Sequence, residues 1–215
     1  FSSMALTINS NVSATNAENQ LSKKTKAVES SFEKLASGNR INKGADDAAG
    51  LAIAAALSTN VDAASVAVRN ISDGVSLASV ADGGLEAAGE ITGRLAELAT
   101  ASANGTLNDS QRGSLQQEAN ALVSELDRIS QTTQFNGQQL LSGSFSSSIQ
   151  AGTDGSSSSQ VGVSLPGVSS GSLNLASFDI SSAAAASSAL SNAKAATATV
   201  SEARGEIGSV VSRLD

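Results

Sequence analysis

Apolar and alanine positions recur every three or four residues along several stretches of the chain, the spacing of one helix face. The first stretch is 17–35, and Ser37-Gly38-Asn39 after it is typical of a helix C-terminus. The second runs from about 46 to 103 and would be about 87 Å long as one helix. Gly83 and Gly84 inside it cost about 2 kcal/mol relative to alanine, which allows a local kink. The apolar positions of this second stretch are Ile53, Leu57, Val61, Ala64, Val68, Ile71, Val75, Ala78, Leu85, Ala88, Ile91, Leu95 and Leu98.

Two further helical stretches follow a break at Asn104-Gly105, where residues 106–110 are predicted to form a loop. One ends near Thr133, and the other runs from about Ser182 to the end of the chain. That end carries no capping signal, so we expect the natural chain to continue past Asp215. The apolar positions are Leu115, Ala119, Leu122, Leu126 and Ile129 in one stretch, and Ala193, Ala196, Val200, Ala203, Ile207, Val210 and Leu214 in the other.

The segment 142–172 differs sharply from the helices, with 13 Ser, 6 Gly and Asp154 as its only charge. Val161, Val163 and Leu165 alternate as in a half-buried strand, and the turn sequence 153–155 precedes them. The segment is therefore predicted to hold a β-hairpin. Because the helical stripes are narrow and heptad-like, the fold class is mainly α: an elongated, coiled-coil-like helical bundle (a rod) with a small β-hairpin element.

Two adjacent acids, Asp46 and Asp47, precede the longest stripe and allow two interpretations. A carboxylate pair can serve acid–base catalysis, but the sequence has no His, Cys or Tyr to supply a converging group. Acids at a helix start also cap free backbone N–H groups and meet the positive end of the helix dipole. We therefore interpret the pair as helix-capping residues. The chain is not expected to be an enzyme or to need a cofactor.

Metal, nucleic-acid and membrane sites are also disfavoured by the sequence. Acids on the predicted helices lack the His partners of a bundle metal site, and Asp154 alone is far short of an oxygen cage. The net charge is −7 and the basic residues are scattered, which argues against nucleic acid. No run of 18 apolar residues predicts a membrane span, and no signal peptide opens the chain. Residues 1–3 are interpreted as a cloning remnant before a natural start at Met4. The acids considered as metal ligands are Glu97, Glu118 and Glu125.

Several long motifs resemble bacterial flagellin, in that family's order. They are LASGNRINKGADDAAGLAIA, then RLAELATASANGTLNDSQRGSLQQEANALVSELDRISQTTQFNGQQLL, then SIQAGTDGSSSSQVGVSLPGV, and finally VSEARGEIGSVVSRLD. The resemblance covers nearly the whole chain from Met4. It implies a structural subunit of the flagellar filament, exported through the flagellum's own channel, self-assembling for motility and located outside the cell. It also implies that the family's C-terminal segment is missing, which puts polymerisation of this chain by itself in doubt.

The resemblance implies a division of the chain and a set of partners. The divisions are a filament-core helix and spoke (4–45), the N-terminal rod helices (46–141), a Ser/Gly-rich hairpin region (142–178) and a truncated C-terminal rod helix (179–215). Asp46 and Asp47 would then start the rod beside the spoke. The implied partners are other flagellin subunits and, for a full-length protein, an export chaperone and the filament cap.

A receptor contact is also implied. In some flagellins an arginine and a leucine on the first rod helix, with a glutamate on the next, contact a vertebrate Toll-like receptor. The matching positions are Arg94, Leu98 and Glu118, although Ala96 stands where a second arginine is often found. The alternative is that Leu98 is a core residue and Arg94 a solvated charge.

Two other functions remain open from the sequence. A hook–filament junction protein is a relative of flagellin and would share its helical pattern. A helical signalling rod, such as a chemoreceptor cytoplasmic domain, is also rich in Ala, Ser and Glu, but it should consist of two helices without a Ser-rich β-insert. The DDAAGLAIA and TQFNG matches favour flagellin over both.

Overall fold

The structure is a computed structural model that describes residues 11–214. The predicted remnant at 1–3, the start at Met4 and the chain end at Asp215 lie outside the described residues. Contacts divide the chain into two compact units, with the boundary between Val61 and Asp62. Of the described residues, 11–61 belong to the first unit and 62–214 to the second.

The first unit contains helix α1, Val12–Ser37, and the start of helix α2. The side chain of Asn11 accepts a hydrogen bond from the backbone N–H of Ala14 at 3.1 Å and caps α1. The helix ends at Gly38, whose φ of 71° is left-handed. The predicted helix and its glycine stop are therefore confirmed. No residue of α1 is buried.

Helix α2 spans Ala48–Ser102, two residues shorter at its start and one at its end than the sequence predicted. It is helical through Gly83 and Gly84, and the two glycines have different surroundings. A β-carbon placed on Gly83 would meet no described atom within 4 Å. One placed on Gly84 would come within 2.8 Å of the side chains of Leu141 and Thr133. Gly84 therefore permits a close approach rather than a kink.

The buried face of α2 repeats every seven residues, the pattern of a coiled-coil seam. The predicted stripe is wrong at several positions: Ile53, Leu57, Val61 and Val68 are exposed. Small side chains occupy the seam because they let neighbouring elements approach closely. The sequence prediction missed several of them because Gly, Ala and Ser score low on a hydropathy scale. In the second unit the seam is formed by Ala67, Gly74, Ala81, Ala88, Leu95 and Ser102, with Ala78, Leu85, Thr92 and Ala99 between them.

Helix α3, Asp109–Thr132, returns along α2 after a short turn. A capping box starts it, because the side chains of Asn108 and Gln111 each accept a hydrogen bond from the other residue's backbone N–H. Arg112, only 5% exposed, donates to the carbonyls of Leu107 at 3.2 Å and Asn104 at 2.9 Å. The sequence predicted the turn but gave no sign that a buried arginine holds it.

Two small antiparallel sheets follow α3. The sequence analysis missed the first, in which β1, Gln134–Phe135, pairs with β2, Gln138–Gln139. Its two-residue turn is Asn-Gly, a strong hairpin signal, and both turn residues have positive φ. The second confirms the predicted hairpin: β3, Ser146–Gln150, pairs with β4, Gln160–Ser164.

Helix α4, Ala183–Leu214, completes the second unit and runs antiparallel to α2. A β-carbon on Gly74 would lie 3.2 Å from Leu214, and one on Gly89 would lie 3.7 Å from Val200. The buried positions of α4 alternate at spacings of three and four: Ala186, Ala189, Ala193, Ala196, Val200, Ala203, Ile207, Val210 and Leu214. The mainly α, coiled-coil-like fold with a small hairpin is thus confirmed.

The connection 165–182 has little regular structure, yet it buries large apolar side chains in the common core. Helix side chains hold its backbone. Gln116 accepts from the N–H of Ile180 at 2.6 Å and donates to the carbonyl of Phe178 at 2.8 Å. Asp127 accepts from both the N–H and the hydroxyl of Ser170. The buried side chains of the connection are Leu165, Val168, Leu173, Leu175, Phe178 and Ile180.

One helix of the described chain, α2, is long and apolar enough to cross a membrane when judged by length and composition alone. The exclusion of a spanning helix from the sequence was therefore too strong. One such helix, judged by length and composition alone, is weak evidence for a span. Alanine supplies much of the apolar character here, and only 6% of the window is buried.

The contrast between the two glycines of α2 gives a stability prediction. Gly83→Ala should raise the free energy of unfolding by about 1 kcal/mol, because alanine favours the helix. Gly84→Ala has the same propensity gain but must displace Leu141 and Thr133, at a typical cost of about 1–3 kcal/mol. Denaturant unfolding followed by circular dichroism compares the two variants. Equal stabilisation by both would contradict the close packing at Gly84.

Candidate subunit interface

The first unit presents an apolar face on α1 that none of the described residues 11–61 covers. Leu21, Val28, Phe32 and Leu35 lie on this face and are 53–80% exposed. Four large apolar side chains at helical spacing form a continuous surface, of the kind that marks an interaction site. The same unit also exposes the first apolar residues of α2, which are Leu51, Ile53, Leu57 and Val61.

Polar contacts organise the segment between α1 and α2. The Asn42 side chain donates to the carbonyl of Glu33 at 3.2 Å and to the hydroxyl of Ser37 at 2.7 Å, close to the end of α1. Lys43 forms an ion pair with Glu33 at 2.7 Å. These contacts join the turn to the last helical residues of α1, so the turn is defined by hydrogen bonds rather than by a core.

The adjacent acids Asp46 and Asp47 lie in this turn and contact different groups. Asp46 forms an ion pair with Lys34 at 3.2 Å and accepts from the N–H groups of Asn42 and Lys43. The Lys34 ammonium, then the Asn42 N–H, holds the pKa of Asp46 below its usual value. At neutral pH this carboxyl is therefore ionised, a form that has no proton to donate as a general acid.

Asp47 contacts the start of α2. Its Oδ1 accepts from the N–H of Gly50 at 2.9 Å, and its carbonyl accepts from Leu51 at 3.0 Å. A β-carbon on Gly50 would lie 2.4 Å from Asp47 Oδ2 and 2.8 Å from Ile41, so a larger residue there would have to displace the Asp47 side chain. The two carboxylates thus contact opposite sides of the turn and converge on no common atom.

The second unit brings Arg94 and Glu118 together, as two of the three positions implied for a receptor contact. Arg94 Nη2 lies 2.7 Å from Glu118, and Nη1 lies 2.9 Å from Glu97. Both glutamates raise the pKa of Arg94. Leu98 is only 3% exposed and belongs to the core, as in the alternative interpretation of this position. Its side chain instead supports the helix that carries Arg94.

The described residues do not bring metal-binding groups together. Among residues 11–214 there is no cluster of three or more His, Cys, Asp or Glu side chains. Glu125 pairs with Arg128 at 2.5 Å, and the other two candidate glutamates pair with Arg94. Asp154 accepts from the hydroxyls of Ser159 and Ser156, which hold its pKa below the usual value. It therefore stabilises the loop between β3 and β4.

Comparisons with known proteins agree with these features. Residues 8–146 match the model of the bacterial flagellin N-terminal helical region. Flagellin A of Vibrio anguillarum is 46% identical over 142 residues, which is 66% of this chain and 38% of the relative. Flagellin A of Vibrio cholerae is 45% identical over 151 residues, which is 70% of this chain and 40% of the relative.

A solved structure supports the fold as well. The crystal structure of Bacillus cereus flagellin matches with a TM-score of 0.60 and 28% identity, covering 69% of this chain and 85% of that one. The chain spans only 38% and 40% of the length of the two Vibrio relatives. Because the family model matches more than half of the residues, the chain belongs to the family of the bacterial flagellin N-terminal helical region.

Proposed function

We propose that this chain is part of a structural subunit of the bacterial flagellar filament, which self-assembles outside the cell for motility. The observation that carries the proposal is the exposed apolar face of α1. A helix of this kind is marginal in water by itself, since most helical stability comes from packing. Covering one large apolar side chain contributes about 1.5–3 kcal/mol, so the four on α1 favour a packing partner.

Other flagellin subunits are the partner that best fits this face. The flagellin relatives favour a filament subunit over the junction protein, and the β3–β4 hairpin does not fit a two-helix chemoreceptor rod. Export through the flagellar channel, an export chaperone and the filament cap are proposed for the whole protein. The absence of a converging catalytic group among the described residues fits a structural role rather than an enzymatic one.

The proposed division of the chain follows the family: 4–45 as filament-core helix and spoke, and 46–215 as the rod with its hairpin at 142–178. Asp46 and Asp47 lie at the junction. The contact boundary falls later, after Val61, because the first residues of α2 have their apolar side exposed. On this proposal the start of α2 is covered by packing in the filament.

A contact with a vertebrate Toll-like receptor is a second candidate function, favoured by one observation. Arg94 and Glu118 come from different helices and form an exposed, joined pair of charges. In this proposal the pair contacts the receptor directly, and Leu98 acts only by supporting α2 beneath it. Ala96 adds no second positive charge to this contact, since it stands where other flagellins often have an arginine.

The filament proposal predicts an effect of α1 substitutions on assembly. Residues 4–214 would be joined to the C-terminal part of Vibrio cholerae flagellin A that lies beyond the matched region, and incubated with flagellar seeds. Electron microscopy should show ordered filaments from this chimera but not from the 215-residue chain. Leu21→Glu should abolish growth, because a charge would enter the apolar face.

Asn19→Glu is the matched control for this experiment. It adds the same charge about 160° around the helix from Leu21, on the side away from the apolar face. This variant should still form filaments. Ordered growth by the Leu21→Glu chimera would contradict the proposed role of the α1 face.

The capping role proposed for Asp47 predicts a local effect. Asp47→Ala should remove about 1 kcal/mol of local stability, which speeds amide exchange of Gly50 and Leu51 about fivefold. Asp47→Asn should exchange like the unsubstituted protein, because Asn also accepts the capping hydrogen bond. Hydrogen exchange followed by NMR measures both. Unchanged exchange in Asp47→Ala, or a hydrolytic activity lost in either variant, would overturn the assignment.

The receptor proposal predicts that Arg94→Ala and Glu118→Ala each weaken signalling in receptor-reporter cells by about tenfold. Losses of this size are typical when a charged residue at the centre of an interface is truncated. Arg128→Ala is the control, because Arg128 is also exposed and paired with a glutamate on α3. Equal responses from all three variants would remove the case for a receptor contact at this pair.

A further inference from the structure

The chain contains two Asn-Gly pairs, Asn104-Gly105 and Asn136-Gly137, and all four residues are exposed. An asparagine followed by glycine can convert spontaneously to aspartate or isoaspartate through a cyclic imide, because glycine leaves the attacking nitrogen unshielded. We propose that Asn104 is a site of this covalent modification in the folded protein, while the fold protects Asn136. The proposal is independent of filament formation.

The turn after α2 prepares Asn104 for the reaction. Its side-chain Oδ1 accepts a hydrogen bond from the N–H of Thr106 at 3.1 Å. The ring closed by this bond includes the peptide nitrogen of Gly105, so it keeps the Asn104 side chain turned towards the backbone segment that contains the attacking nitrogen. Holding two reacting groups together in this way removes much of the entropic barrier.

The same hydrogen bond also makes the side-chain carbonyl of Asn104 easier to attack. When the nitrogen attacks, negative charge develops on the side-chain oxygen, and a backbone N–H aimed at that oxygen stabilises it. The Asn104 carbonyl accepts from Leu107 at 3.3 Å and from Arg112 at 2.9 Å, and Asn104 lies outside any strand pairing that imide closure would break. A β-carbon on Gly105 would meet no described atom within 4 Å, so the site is open to water.

The reaction needs only water as a co-reactant. The Gly105 nitrogen forms a bond to Asn104 Cγ and loses its proton to hydroxide. The bond from Cγ to the side-chain nitrogen then breaks, and that nitrogen takes up a proton and leaves as ammonia. Water opens the imide at either carbonyl, which gives aspartate or isoaspartate. The net change is the addition of one water and the loss of one ammonia.

Asn136, in contrast, lies in a hairpin turn whose backbone conformation opposes imide closure. Asn136 and Gly137 have φ values of 50° and 79°, the left-handed pair of a two-residue hairpin turn. Phe135 pairs with Gln138 across this turn. Imide closure requires rotation about the Asn Cα–C bond away from the left-handed conformation, which would break the β1–β2 pairing. No described residue donates a hydrogen bond to the Asn136 side-chain oxygen.

Modification at Asn104 would alter the α2–α3 turn. A new carboxylate would lie at the C-terminal end of α2, where the helix dipole disfavours negative charge. In the isoaspartate product the backbone runs through the former side chain and is one methylene longer, and the carbonyl that Arg112 binds becomes a free carboxylate outside the backbone. We therefore expect the turn to loosen as the protein ages.

The test is to incubate the purified 215-residue chain at mildly alkaline pH and body temperature, then to quantify both sites by peptide mapping with mass spectrometry. Native protein should deamidate at Asn104 about tenfold faster than at Asn136, a modest share of what one oriented donor contributes in enzymes. In guanidinium chloride the two sites should react at similar rates.

Gly105→Ala is the variant that checks the site. It should slow the reaction at Asn104 and leave the rate at Asn136 unchanged, because the added methyl group shields the attacking nitrogen. Equal native rates, faster reaction at Asn136, or the same ratio of rates in folded and unfolded protein would overturn the proposal.

Discussion

The second unit depends on one constraint, which is the close antiparallel approach of α2 and α4. Their buried positions repeat with the heptad period, and most are alanine, glycine or serine. Small side chains bury little area each, so the seam gains stability from its length and from the short distance between backbones. At Gly74 a single β-carbon would come within 2.4 Å of Ile149 and 3.2 Å of Leu214. The Arg204–Asp82 ion pair, 2.8 Å long, bridges the two helices at the exposed edge of the seam.

Much of this fold could be predicted from the sequence, and the failures have a common physical origin. The spacing of apolar residues, together with the Gly- and Asn-containing breaks between stretches, located all four described helices and the β3–β4 hairpin to within a few residues. The predicted stripe was correct from Ala78 to Leu98 but missed Ala67 and Gly74, because a hydropathy stripe selects Val68, which is exposed. Which positions of α2 are buried depends on which element packs against them, and local spacing along α2 does not indicate that element. The β1–β2 hairpin was missed although its Asn-Gly turn was visible, because the flanking residues are glutamines rather than typical strand formers.

The polar contacts that hold the irregular connection 165–182 were outside the reach of sequence reasoning. Gln116 pairs with residues more than 60 positions away, and the hydroxyl of Ser102 donates to the carbonyl of Ile180 at 2.5 Å. A buried backbone without strand or helix partners needs such acceptors and donors, since an unsatisfied polar group is costly. Nothing in local spacing indicates which glutamine or serine supplies them. Of the candidate site, the capping acids and the i,i+3 pair of Arg94 with Glu97 follow from local pattern, while the pairing of Arg94 with Glu118 required the tertiary fold.

The two units show how one chain can satisfy opposite requirements. In the second unit most large apolar side chains are covered, with valines on the outer face of α2 such as Val68 as exceptions, and exposed charges pair around the core. In the first unit α1 has no buried residue, and the contacts of its turn are exposed ion pairs and hydrogen bonds, which individually contribute little to stability. Those contacts define the local turn, but they leave Phe32 and Leu35 uncovered. Large apolar residues in register on a face that the described residues of this unit leave uncovered are consistent with association. The favourable burial then occurs on assembly, which couples the completion of this unit to its incorporation in the proposed filament.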